Sequence, residues 1–156
     1  MRLRISRIAS LLLLSASIGS SPAQAARMPA GARVFTGASV ARMLHQCSRP
    51  APEAGEANWT PRAADIIALE TALPAALKAE QRGRDWSGFP QDYLRQYVGI
   101  VRKGRRYVYG NFVPRHGSGP ATDKPIIMCD GGASFFGAEY DVGARKISHL
   151  AFNGRG

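Results

Sequence analysis

The spacing of apolar positions changes character several times along this chain. Ile8 to Ile18 form a short unbroken apolar run with four consecutive leucines, Leu11–Leu14. From Ala26 to about Asn58 the apolar residues thin out to Val34-Phe35 and Val40–Leu44. Ser39 could cap a short helix running through Cys47, with Val40, Met43, Leu44 and Cys47 on one side. Pro50, Pro52 and Gly55 then mark Ser48–Asn58 as a loop. At Thr60-Pro61 a helical period begins. Threonine can accept a bond from an unpaired helical N–H, and proline at the first helical position loses none. Ile66, Leu69, Leu73 and Leu77 recur at helical spacing and make one stripe, while Arg62, Glu70, Lys78 and Glu80 can face water. Pro74 predicts a kink or a break in this helix, and Gly83 its end.

From Tyr93 the period is two. Tyr97–Val101 reads as a strand, and Arg102-Lys103-Gly104-Arg105 as a turn with glycine where a positive φ is needed. Arg106–Val113 returns as the second strand, with Tyr107 and Tyr109 on one face and Val108 and Phe112 on the other. After a loop at 114–125, short strands are predicted at Ile126–Cys129, Ser134–Tyr140 and Lys146–Phe152. The fold class that follows is α+β. A main helix at about 60–82 packs its stripe on an antiparallel meander of about five strands, over about 95–153. This order is similar to the helix-on-sheet plan of cystatin-like and related small exported domains over about residues 60–154. The resemblance concerns architecture and carries no active residues across.

The N-terminal run changes the picture of the whole chain. Arg2, Arg4 and Arg7 precede it without an acid, and Pro22 and Ala23-Gln24-Ala25 follow it. A positive start, a short apolar centre and small residues at the cleavage positions predict a secretory signal peptide over 1–25. About 11 apolar residues are too few for a membrane span, which needs about 20. Residues 26–58 then form an irregular N-terminal segment and 59–156 a single α+β domain. The expected location is periplasmic or secreted, with no membrane span after cleavage.

Formal charge is +10, with 21 basic and 11 acidic residues. Loss of three signal arginines leaves +7. Such a balance fits an acidic partner or surface, and export argues against nucleic acid as that partner. Arginine outnumbers lysine 17 to 4, which is also a mark of a GC-rich coding bias.

Candidate chemistry is sparse. Cys47 and Cys129 are the only cysteines, and in an oxidising compartment an even pair reads as a disulfide closing a loop of about 80 residues. The competing use of Cys129 is a nucleophile with His116 or His149. His45 and Cys47 lack the close ligand pairs of zinc sites, so no metal and no cofactor is expected. Glu139 and Asp141 alternate on a strand, roughly 6.5–7 Å apart, a spacing open to an inverting glycosidase or to any solvated sheet face. Arg102, Lys103, Arg105 and Arg106 surround one hairpin turn, with Tyr107 and Tyr109 next to them. That is a protruding cationic loop able to grip phosphate, carboxylate or an acidic groove, or a charged turn that keeps a hairpin soluble. The expectation is an exported, non-catalytic binding domain whose partner is an envelope protein or an anionic envelope component. The alternative is a hydrolase using Cys129 with a histidine, or Glu139 with Asp141.

Overall fold

The computed structural model describes residues 25–80, 86, 88–115 and 123–154. Two helices and a six-stranded, mostly antiparallel sheet make up the fold. In chain order the elements are β1 (Ala32–Val34), α1 (Ala38–Leu44), β2 (Ala57–Trp59), α2 (Ala63–Glu80), β3 (Tyr93–Arg102), β4 (Arg105–Pro114), a 3-10 turn (Gly132–Ser134), β5 (Phe136–Asp141) and β6 (Lys146–Phe152). The long strands β3, β4, β5 and β6 follow one another as an antiparallel meander. β1 and β2 share the outer edge of β3, β1 parallel along its first half and β2 antiparallel along its second.

The helical stripe behaves as its spacing dictates. Ile66, Leu69, Leu73 and Leu77 are all fully buried against one sheet face, on Tyr97, Val108, Phe112, Phe136, Ala138 and Tyr140. Phe112 and Phe136 stack at 4.7 Å between ring centroids at the centre of this layer. Glu70 adds a polar pin: its Oε1 accepts from Arg95 at 2.6 Å and from the Tyr97 hydroxyl at 2.5 Å. Burial foremost, and then the Glu70 charge, push the Tyr97 hydroxyl well above its ordinary pKa. α2 is one continuous helix through Pro74, so of the kink or break that the proline predicts, the break does not occur. Proline removes one hydrogen bond on the solvent side, while Leu69, Leu73 and Leu77 keep both halves seated on the same sheet. The helix begins at Ala63, later than Thr60-Pro61, and Asp65 closes its start by accepting from the Arg62 N–H at 2.9 Å.

The opposite sheet face is also covered, by chain that sequence patterning left irregular. α1 lays Val40 and Met43 on Val98, Ile100 and Tyr109. It is preceded by Gly37 without a side-chain cap and ends before Cys47, so Ser39 is not its cap. Segment 48–56 crosses the face as a strap. It is held at Ser48 by Gly154, at Pro50 by His149 and at Glu53 by Arg102. Residues 126–129 are not a strand. This stretch is fixed by side chains instead: Gln96 and Asn111 bind the backbone of Ile126, and Asn153 binds the carbonyls of Met128 and Asp130. Arg49 of the strap is itself buried, and its guanidinium joins Asn111 to Asn153. Cys47 and Cys129 form a disulfide across the same face, with Cα atoms 5.0 Å apart. Among the described residues no helix is long and apolar enough to cross a membrane. The bridge is compatible with an exported protein. Residues 1–24 of the segment read as a signal peptide, the expected helix stop at Gly83 and His116 lie outside the described residues.

Candidate functional site

Both hairpin turns of the meander, β3–β4 and β5–β6, fall at the same end of the sheet. The first is a two-residue turn with Lys103 and Gly104 both at positive φ, 49° and 70°. Both central residues of such a turn must adopt this region, which suits glycine and asparagine. The second spans Val142 to Arg145, is closed by Asp141 Oδ1 accepting from the Ala144 N–H, and ends with Arg145 at φ 54°. Lys103 and Arg145 are the only non-glycine residues at positive φ among the described residues. Each carries a long cationic side chain in a conformation that disfavours any Cβ. Two strand spacings separate the turns, roughly 10 Å.

Lys103, Arg105, Arg106, Arg145 and Lys146 are all exposed here, with Arg102 half-buried behind them. Three carboxylates answer these six cations. Arg102 bonds Glu139 at 2.6 Å, and Arg105 bonds Asp141 at 2.5 Å. Glu56 binds the turn backbone, its Oε2 accepting from the Lys103 N–H at 3.0 Å and its Oε1 from the Gly104 N–H at 2.9 Å. Aromatic rings orient two guanidiniums: Arg102 lies 4.2 Å from the Tyr107 centroid and Arg106 5.2 Å from that of Trp59. Trp59 is itself tied by its indole N–H to the Tyr107 carbonyl.

The hairpin residues read from sequence therefore divide. Arg102 is a structural cation: it joins Glu139 to the strap through the Glu53 carbonyl. Its own pKa is raised, chiefly by the Glu139 hydrogen bond. Tyr109 is fully buried under α1, and burial raises its hydroxyl pKa against the opposing pull of Arg49. Tyr107 is half-buried under arginines. Lys103, Arg105 and Arg106 reach solvent, and Arg145 and Lys146, which sequence reasoning did not single out, join them. The basic pair closing the 141–145 turn was the available signal; only the strand register puts it beside the first hairpin.

Other candidate groups are committed elsewhere. The disulfide consumes both thiols of the chain, so Cys129 offers no nucleophile. Glu139 and Asp141 do share a face, but each is buried and spends an oxygen on an arginine. His149 contacts the Pro50 carbonyl. Among the described residues no group of three potential ligands could hold a metal.

The Gly104 N–H foremost, with Lys103 N–H and Arg102 adding to it, holds the Glu56 carboxyl below its ordinary pKa. A depressed folded pKa means that the contact survives through the usual glutamate range and is lost as pH falls below it. Amide resonances of Lys103 and Gly104 are expected to titrate together, at a pH below the ordinary glutamate value. Two unrelated midpoints would contradict a shared carboxylate. Comparison of the chain with family models, curated sequences and solved structures returned no match.

Proposed function

We infer that this chain is an exported, non-catalytic binding domain that meets an anionic partner of the envelope with the turn end of its sheet. The observation that carries this reading is the pair of cations held at positive φ, Lys103 and Arg145, at adjacent turns. A non-glycine residue in this region costs roughly 1 kcal/mol, and such strain persists where something other than stability favours the residue. Glycine or asparagine would suit both turns better for folding. Lysine and arginine suit them better for presenting charge.

The reading predicts opposed effects on stability and binding. Replacing Lys103→Asn and Arg145→Gly together should stabilise the protein by about 1 kcal/mol, raising Tm by roughly 3–6 °C. The same variant should lose at least several-fold in affinity for anionic envelope extract components immobilised on a sensor. A variant that is stabilised but binds as well as the original removes this end from the account. Arg102 is left unchanged in the experiment because its loss would disturb the fold. For export, expression of the full chain in a bacterium should yield a periplasmic or secreted product beginning at Ala26; retention of residues 1–25 in a cytosolic product would contradict it.

A further inference from the structure

The β3–β4 turn already holds one anion, the chain's own Glu56. Successive backbone N–H groups in a left-handed turn make a concave acceptor site for an oxyanion. Here the two oxygens of one carboxylate sit on the two N–H groups of Lys103 and Gly104, at 3.0 and 2.9 Å. Glu56 is exposed, so this contact lies in water, where a charged contact adds little to stability.

The placement of Glu56 is built, not incidental. Gly55 presses on β3: a Cβ there would meet the Val101 carbonyl oxygen at 1.9 Å. Ala57, Asn58 and Trp59 then pair with Val101, Ile100 and Gly99. Residues 57–59 thus lie along the β3 edge as an extended peptide does when it adds a strand to a sheet, and Glu56 leads directly into them. Glu53 precedes this segment, its carbonyl on Arg102.

We propose that the Lys103–Gly104 turn is a carboxylate-recognition site for an acidic peptide segment of a partner protein, and that Glu56 is its resident competitor, tethered in cis. This rests on the reading of the turn end as the binding surface. A partner's glutamate or aspartate would take the two N–H groups that Glu56 now occupies, while its neighbouring acids meet Lys103, Arg145 and Lys146. The occupant itself argues for a carboxylate on an extended chain. A tethered group competes at an effective concentration of millimolar order. The partner must therefore displace Glu56, and removal of the competitor must tighten binding.

The test uses isotope-labelled, disulfide-bonded protein titrated with a hexaglutamate peptide and followed at backbone amides. Glu56→Gln should bind about tenfold tighter than the original chain, with the largest shifts at Lys103 and Gly104. Glu56→Asp, whose shorter arm reaches the two N–H groups less well, should fall between them. A dispersed amide spectrum matching the original elsewhere establishes that the variants fold. Equal affinity for all three, with the 103 and 104 amides unmoved, overturns the competitor and leaves the cationic end standing. Absence of binding by any of the three removes the cationic end and this proposal with it. Tighter binding of sodium polyphosphate than of the peptide at the same amides overturns the peptide as the partner class.

Discussion

Replacing Cys47 and Cys129 by alanine is expected to lower stability by about 2–5 kcal/mol. The two residues are 82 apart in sequence. Chain-entropy reasoning for a loop of that length gives roughly 4–5 kcal/mol as an upper figure, and residual structure in the unfolded chain reduces it. The bridge ties the head of the strap to the irregular stretch around Ile126–Asp130. Both of those are otherwise fixed by polar contacts, the stretch to Gln96, Asn111 and Asn153 and the strap to Gly154, His149, Arg102 and, through Arg49, Asn111 and Asn153. Urea unfolding of the double variant, with the slope of free energy against urea compared as well as the midpoint, checks this. A loss below about 1 kcal/mol would mean that the polar contacts alone seat these segments. Both cysteines are exposed, so a reductant should reach the bond in the folded protein and give a comparable loss.

The elements legible in the sequence are those whose burial is one-sided and local. Ile66, Leu69, Leu73 and Leu77 lie on one helical stripe, and all four are fully buried. The β3–β4 hairpin is marked by period-two apolar residues on both sides of a Lys103-Gly104 turn, and the register pairs Arg102 with Arg105 as that turn requires. The cover of the opposite sheet face was not legible, because buried Gln96, Asn111, Glu139, Asp141 and Asn153 share that face with Val98, Ile100 and Tyr109. Glu139 and Asp141 alternate like residues on a solvated strand, yet both are buried, each bonded to an arginine, and Arg102 also holds the Glu53 carbonyl of the strap. Residues 126–129 look like a strand by composition. Their backbone instead answers to Gln96, Asn111 and Asn153, which lie 15 to 30 residues away. Arg49 and Glu56 carry no local signal for the same reason. Each meets its partners only after the chain has crossed the sheet, 62 and 104 residues away for Arg49 and 47 and 48 for Glu56. Of the candidate site, the first cationic turn was visible, and its pairing with Arg145 and Lys146 was not.

Arg102→Ala is expected to cost about 3–5 kcal/mol, far more than loss of Lys103 or Lys146 at the same end. Glu139 is 2% exposed, and among the described residues Arg102 is the cation bonded to it. Truncating the arginine leaves that carboxylate in a poorly solvated site with, among the described residues, the Ser148 hydroxyl as its remaining donor. It also frees the Glu53 carbonyl, and with it one anchor of the strap. Coulomb attraction within such a pair is largely offset by the desolvation of both ions, so the damage comes from the uncompensated charge. Removing both charges should therefore hurt less than removing one. The double variant Arg102→Met with Glu139→Leu is expected to recover more than half of the loss, measured by urea unfolding of the two single variants and the pair. By contrast, Lys103→Ser or Lys146→Ser should stay within about 0.5 kcal/mol of the original, as exposed charges do. If Arg102→Ala also stays within that range, its charge is available to a ligand, and the arginine belongs to the binding surface together with Lys103. A large single loss with recovery in the double variant places Arg102 under the site, as the residue that holds the hairpin and strap together while the outer cations remain exposed.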